Sequence, residues 1–398
     1  MIEREWSEFW WNNITGSNYV ISQVVQTLLD NSTVIIEVPS DLPWRREMRS
    51  AIETSFRGQS ASSDTIIEFI DAVDDCTSGE APGKYLLEQY GQSCEIRNGY
   101  RERSGKSIQE YLKEKAVLKN RIIWVKGLTG KQAEDWVKFC KEFGPETPEK
   151  GLFVLEIHGA YSKVESKTIR TIRFLNFVTS YDVQLFNSFI LDEKKGLSTE
   201  WKRYISTVAA SLCDTDAEIS ELLLQANDLK SVSLLTEIGK IAAHPHYSAR
   251  GGDSDSAHVL ACSRNGNRSE LEHRLWKAQI QTLFPIIELE RISLIGYYKE
   301  ELREALSNHF VEQYEAQVVD PADIELGTFC YLLTVGYIDI YESNIRERIF
   351  FLHDCRNLLA HAHSCNEEQV RQLLDNGPFL LPTYMHKRLQ NLKTVLKE

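Results

Sequence analysis

Short apolar runs alternate with helical stripes along the first half of the chain, and beyond residue 195 the stripes continue alone. Val34-Ile35-Ile36-Glu37-Val38, Ile122-Ile123-Trp124-Val125, Phe153-Val154-Leu155-Glu156-Ile157 and Val183-Gln184-Leu185-Phe186 are rich in β-branched and aromatic residues and are bounded by turn residues. This predicts four buried strands. Between them, Tyr19 to Leu29 carries Val20, Ile21, Val24, Val25 and Leu28 at helical spacing, behind the capping stretch Gly16-Ser17-Asn18. Gln132 to Phe143 places Trp136, Phe139, Cys140 and Phe143 on one side, and a further helix runs through Met48 and Ile52. Strands alternating with helices predict an α/β domain, mainly a parallel sheet with helices on both faces.

The polar stretch Leu191-Asp192-Glu193-Lys194-Lys195-Gly196 ends that pattern, and the rest of the chain reads as an all-α helical bundle. Thr199 to Leu212 and Ala217 to Leu229 are amphipathic. His244-Pro245-His246-Tyr247 opens a loop of small polar residues that includes Gly251-Gly252-Asp253-Ser254-Asp255, which predicts a flexible surface segment over 244–268. Ser269 to Asn308 is a long helical pattern whose stripe contains Trp276, Ile280, Leu283, Phe284 and Ile287, with a break expected at Pro285. Phe329 to Ile340 is apolar and is expected to run on into 342–363. Ser364-Cys365-Asn366 is a turn, and Asn366 with Gln369 fits a capping box for a helix from Glu367 to Leu374. A last amphipathic helix starts near Thr383, with Met385, Leu389, Leu392 and Val395 on one face. The expected division is 1–195, a helical connector over 196–268, and a bundle over 269–398.

Composition narrows the function. The net charge of -13 argues against coating duplex DNA, which needs a basic face. No apolar run approaches the roughly 18–20 residues that cross a bilayer, and Met1-Ile2-Glu3-Arg4-Glu5 lacks the pattern of a signal peptide. The eight cysteines make no Cys-x-x-Cys pair, so free thiols in a cytoplasmic protein are expected, with no zinc site. His244 and His246 flank a proline without a third ligand at a natural spacing, so no metal is expected there either.

The alternation of strands and helices resembles P-loop NTPases. Such proteins need a glycine-rich turn with a Lys and a hydroxyl between the first strand and its helix. Here Val34–Val38 is followed by Pro39-Ser40-Asp41-Leu42-Pro43-Trp44-Arg45-Arg46, without Gly or Lys. The one Gly-Lys-Ser, Gly105-Lys106-Ser107, follows a polar basic run and reads as a surface loop leading into a helix. Phe153–Ile157 carries Glu156 but not the Asp that usually holds Mg²⁺. The resemblance therefore implies a degenerate NTPase-like domain without ATP hydrolysis. Arg45 and Arg46 are the only candidates to stand in for the missing Lys in nucleotide binding.

A second pattern lies near the C-terminus. Arg356-Asn357-Leu358-Leu359-Ala360-His361 resembles the Arg–His signature of HEPN domains, small helical bundles of which many cleave RNA without a metal or other cofactor. The chemistry suits the residue types. An imidazole transfers protons near neutral pH, and a guanidinium clamps a phosphate oxygen. The resemblance implies His361 as general acid or base, Arg356 as phosphate clamp and Asn357 as the group that orients them, supported by Asp354, His353 and His363. His353, Asn357 and His361 are spaced i, i+4, i+8 on one face. Arg356 lies about 140° around an ideal helix from His361, so the Arg must reach around or a second subunit must complete the site. By resemblance, a homodimer through the C-terminal bundle is implied.

HEPN domains fused to NTPase-like domains recur in prokaryotic antiviral and toxin systems. The leading expectation is a defence-system component whose C-terminal domain is an endoribonuclease under control of the N-terminal domain, with RNA and other defence proteins as partners. The alternative expectation is a non-catalytic scaffold or adaptor subunit in which both sites are vestigial.

Overall fold

A computed structural model describes residues 5–59, 64–76, 81–101, 105–144, 151–159, 168–226, 228–231, 233–252 and 257–375. The chain folds as two compact units. The first holds residues 1–186 and takes back 215–221, and the second holds 187–214 and 222–398. The helix expected from Thr383, and Asp253-Ser254-Asp255, lie outside the described residues.

The first unit runs α1 (Trp6–Asn13), α2 (Thr15–Leu29), β1 (Thr33–Val38), α3 (Arg45–Gln59), β2 (Ile66–Asp71), α4 (Pro82–Tyr90), α5 (Cys94–Gly99), α6 (Ile108–Glu114), β3 (Arg121–Leu128), α7 (Gly130–Phe143), β4 (Leu152–His158) and β5 (Ile169–Arg173), and α8 (Ser180–Glu193) crosses its boundary. The five strands form one parallel sheet in the order β2-β3-β4-β1-β5. Alternate side chains separate its faces. Ile35, Ile123, Val125, Phe153, Leu155 and Ile157 join Leu86, Leu112, Trp136, Phe139 and Phe143 of α4, α6 and α7 in one core. Glu156, Trp124 and Ile36 point to the other face, where α3 lies.

Three of the four expected strands are present. The fourth, Val183–Phe186, lies inside α8. Its Val183, Phe186 and Ile190 are buried at i, i+3 and i+7, and the Asp182 carboxylate accepts the Thr179 N–H at 2.9 Å, fixing the helix start. A four-residue apolar run does not separate helix from strand. The sequence pattern also passes over β2 and β5, the two edge strands. Edges have half their surface open and tolerate polar positions. Ile66 and Phe69 of β2 are indeed exposed, and β5 carries Arg170 and Arg173.

The second unit is helical. It continues from α8 through α9 (Thr199–Cys213), the end of α10 (Ala217–Leu224, whose first five residues belong to the first unit), α11 (Leu234–Ala243), α12 (Val259–Arg264), α13 (Arg268–Thr282), α14 (Phe284–Tyr297) and α15 (Lys299–Asn308). A two-residue-per-strand hairpin, β6 (Glu312–Gln313) and β7 (Ala316–Gln317), leads to α16 (Leu326–Thr334), α17 (Ser343–Ala360) and α18 (Glu367–Asp375). The 269–308 pattern breaks at Pro285, which takes the first turn of α14 as its missing N–H requires. The expected loop over 244–268 is not structureless. His244 Nδ1 accepts the His246 N–H at 3.2 Å to cap a short 3₁₀ turn, and α12 buries Val259, Leu260, Ala261 and Cys262. The apolar run from Phe329 stops as helix at Thr334, before a bend at Gly336 with φ of 73°. Among the described residues, no helix is long and apolar enough to cross a membrane.

Candidate functional site

In an open parallel sheet, ligands favour the strand ends where neighbouring connections leave in opposite directions. Here β1 connects across β4 and β3 to the far edge, while β4 connects across β1 to β5. A ligand of this sheet would therefore sit in the crevice at the ends of β1 and β4, which is also where Arg45 lies.

The structure fills that crevice with the chain's own groups. Arg45 Nη2 donates to the Pro39 and Ser40 carbonyls at 3.2 Å each. Its Nη1 meets His158 Nε2 and lies 3.4 Å from Glu156. Glu156 is fully buried and takes two 2.9 Å bonds from Arg49 and one of 3.3 Å from Trp124 Nε1. Burial first, and the Arg45 guanidinium second, hold the His158 imidazole below its ordinary pKa. A neutral His158 is what can accept from Arg45.

The N-terminus of α3 would be the phosphate cradle of a nucleotide-binding fold, because its backbone N–H groups are unpaired and its dipole favours an anion. An anion of this chain already sits there: Glu218 accepts the Trp44 N–H at 3.0 Å. Trp44 itself is held at φ of 42°, with its carbonyl bonded by Trp11 Nε1 at 3.0 Å. The loop is thus pinned from both sides. Arg46 points elsewhere, onto a surface depression lined by Glu5, Glu8 and Glu47, whose carboxylates repel phosphate. Gly105-Lys106-Ser107 is a surface turn: Ser107 and Glu110 form a capping box for α6, and Lys106 pairs with Glu114 at 2.7 Å.

The Arg–His motif occupies the end of α17. Ile345, Ile349, Leu352, Cys355 and Leu359 form its buried stripe, which leaves His353, Arg356 and Asn357 half-buried beside it. Arg356 does reach around the helix, but toward a carboxylate. Its Nη2 donates to Glu325 at 3.0 Å, and its Nη1 lies 3.5 Å from Asn357 Oδ1. Glu325 also accepts from the Tyr314 hydroxyl at 2.8 Å. Asn357 Nδ2 lies 3.0 Å from His353 Nε2, and His353 Nδ1 lies 3.5 Å from the exposed Asp354. The structure therefore brings together Arg356, Asn357, His353 and Asp354. It adds Glu325, 31 residues away in sequence, for which the sequence offered no signal.

His361 and His363 lie just past this network, both exposed. His361 is the C-cap of α17. The His363 N–H bonds Leu358 O at 2.9 Å and the Ala362 N–H bonds Leu359 O at 3.4 Å, which is a Schellman turn with Ala362 at φ of 61° in place of glycine. Trp276 Nε1 caps the Leu359 carbonyl at 2.7 Å. A second internal ion pair braces the same helix. Arg348 of α17 grips the buried Glu290 of α14 with two 2.8 Å bonds and reaches the Gln372 carbonyl at 3.0 Å. Among the described residues, no group of three or more His, Cys, Asp or Glu has metal-ligand geometry.

No protein-family model matches the chain, and no curated protein matches it. Among solved structures the chain aligns with one from the structure of Drosophila ORC bound to DNA, at 10% identity over 99% of this chain and 72% of that one, with a TM-score of 0.25. A likeness at that level bears on neither fold nor function.

Proposed function

We propose that this chain is a non-catalytic adaptor subunit of a multi-protein defence assembly, with vestigial NTPase-like and HEPN-like sites. One observation carries the reading: the cations placed to meet a phosphate are engaged by groups of the same chain, Arg45 at the sheet by the Pro39 and Ser40 carbonyls with Glu156 at 3.4 Å, and Arg356 on α17 by the Glu325 carboxylate. A clamp that must first break an internal ion pair starts at a disadvantage, and Glu325 and Asp354 add negative charge where RNA phosphate would have to approach. The defence context rests on the resemblance of Arg356-Asn357…His361 to HEPN proteins.

The test is expression of wild type and His361→Ala, alone and with the genomic neighbours, followed by growth and total RNA integrity, together with calorimetric titration of the purified chain with ATP and GTP. The adaptor reading expects intact RNA in every arm and flat titrations. RNA cleavage that disappears in His361→Ala overturns it.

That overturning result would establish the second reading, a metal-independent endoribonuclease completed by homodimerisation through the helical unit. The observation in its favour is the exposure of His361, the proton-transferring group of the motif, one turn beyond Asn357.

A further inference from the structure

Between Arg303 and Arg346 the chain has no Lys or Arg, yet it carries Glu304, Glu312, Glu315, Asp320, Asp323, Glu325, Asp339 and Glu342. In a protein with 45 basic residues such a gap is a feature of the surface it builds. The segment forms the β6–β7 hairpin, α16 and the lead into α17. It is also where the helical unit shows its aromatic surface: Phe310, Tyr314 and Tyr341 are 69%, 75% and 92% exposed, and Tyr331 is half exposed. Large apolar side chains left in water in one region mark an interaction site more often than chance.

The elements that present them are braced. The His309 ring stacks on Tyr337 at 3.6 Å with planes 5° apart, and Tyr331 meets Tyr337 edge-on at 6.3 Å. At the hairpin, Gln313 bonds Thr328, the Glu325 N–H and the Asp323 carbonyl, and Tyr314 bonds Glu325. These bonds hold hairpin and helix as one platform that carries Tyr314 and Tyr331, while Phe310 follows the stacked His309 and Tyr341 lies four residues past Tyr337. Glu325 is paired with Arg356 of α17, and the segment itself supplies no Lys or Arg to its other carboxylates.

We propose that this platform docks a Lys- and Arg-rich segment of a partner protein, an inference that rests on the adaptor reading and names the partner's chemistry. Charge complementarity selects the occupant. Guanidinium and ammonium groups gain from the aromatic faces and from the acids at once, whereas nucleic acid is repelled by the same acids. Arginine is also the residue that combines planar stacking with bidentate carboxylate pairing.

The experiment is fluorescence polarisation of the intact chain with three labelled probes of equal length: an Arg/Lys-rich peptide alternating with Leu, its Glu-substituted counterpart, and oligouridylate. Binding of the basic peptide alone, weakening with salt, is expected. Tyr314→Ser with Tyr341→Ser weakens it roughly tenfold, the loss of about two cation–π contacts, and Glu312→Lys with Asp339→Lys weakens it further. Glu134→Lys with Asp135→Lys, an equal charge change on exposed α7 in the other unit, leaves it unchanged. Equal weakening by the α7 pair shows attraction to net charge alone and overturns the proposal. So does oligouridylate binding that the Tyr314/Tyr341 variant abolishes, or peptide-independent self-association through these residues. Analytical ultracentrifugation of both variants separates that last case. None of these outcomes depends on His361, so failure here leaves the adaptor reading standing, and His361-dependent RNA cleavage removes that reading without touching the binding curves.

Discussion

The buried ion pair beneath the sheet crevice makes the sharpest prediction. Glu156 has no exposed surface, and Arg49 approaches it through Nε and Nη2 at 2.9 Å each. Arg49→Met keeps the aliphatic stem and removes the fork. The Glu156 carboxylate then retains the Trp124 N–H at 3.3 Å and Arg45 at 3.4 Å, both at long range. Breaking a buried pair on one side costs about 3–5 kcal/mol, because the remaining charge is stranded in low dielectric. Arg45 softens this, so the lower end, about 3 kcal/mol, is expected. Glu156→Leu combined with Arg49→Met should cost less than Arg49→Met alone, since the double change strands no charge in the core. Arg45 keeps the Pro39 and Ser40 carbonyls and is 23% exposed, so water reaches it.

The assay is urea unfolding followed by hydrogen exchange of the β4 peptide covering Leu152–His158, which reports on the first unit alone. Arg49→Met should raise β4 exchange by roughly two orders of magnitude, at about 1.4 kcal/mol per tenfold, where exchange follows opening of the sheet. The double variant should recover much of that protection. If Arg49→Met lies within about 0.5 kcal/mol of wild type, or if the two substitutions add within that margin, the pair is not energetically coupled. The claim that this crevice is closed by its own electrostatics would then fail.

The other predictions are independent of it. His158 has a depressed pKa in the fold, so the unfolded chain takes up a proton near 6.5 that the fold refuses. Stability from this group is complete above about 6.5 and drains as pH falls below it, and His158→Gln should flatten that slope. Parallel stability–pH curves for the two proteins would refute the sign. Ala362 holds φ of 61° in the turn that ends α17. Ala362→Gly should stabilise the second unit by about 0.5–1 kcal/mol in urea melts, and a loss would show that the left-handed turn is not strained. The buried Cys355 and Cys365 thiols share a hydrogen bond, and that neighbour, with burial, pushes the Cys365 thiol up. Thiols buried in this way resist thiolate chemistry, so a thiol-alkylating reagent should label exposed Cys94 and leave Cys355 and Cys365 unmodified in the folded chain, all three reacting in urea; labelling of Cys355 or Cys365 as fast as Cys94 without denaturant would refute this.

Periodicity carried most of the fold. Runs buried on both faces, such as Val34–Val38 and Phe153–Ile157, are apolar at nearly every position, and the parallel sheet follows from their alternation with helices. β2 and β5 were illegible for a physical reason. At a sheet edge the burial pattern is mixed, so Ile66 and Arg170 can face water without loss. Val183–Phe186 was misleading because its helical phase becomes visible only when Ile190 is added. The break at Pro285 and the Asn366–Gln369 capping box were readable because they depend on residues within four positions.

The candidate sites divide along the same line. A motif states which groups are near one another on a helix, and α17 does carry Arg356, Asn357 and His353 together. Whether a cation is available to a ligand depends on what lies opposite, and those partners are remote: Glu325 is 31 residues from Arg356, Glu156 is 107 from Arg49, and Glu218 is 174 from Trp44. No local pattern encodes such distances. The absence of Gly and Lys after β1 is legible in the sequence, but the groups that occupy the helix N-terminus are not. The helix N-terminus that would hold a phosphate still needs an anion, and the fold provides Glu218, while the guanidinium nearby is turned onto backbone carbonyls and Glu156. A site that had merely lost its ligand-binding residues would leave these polar groups to water. Here each is satisfied within the chain, so introducing a glycine and a lysine into the loop would not by itself create a nucleotide site: Glu218 and Arg45 would first have to be removed.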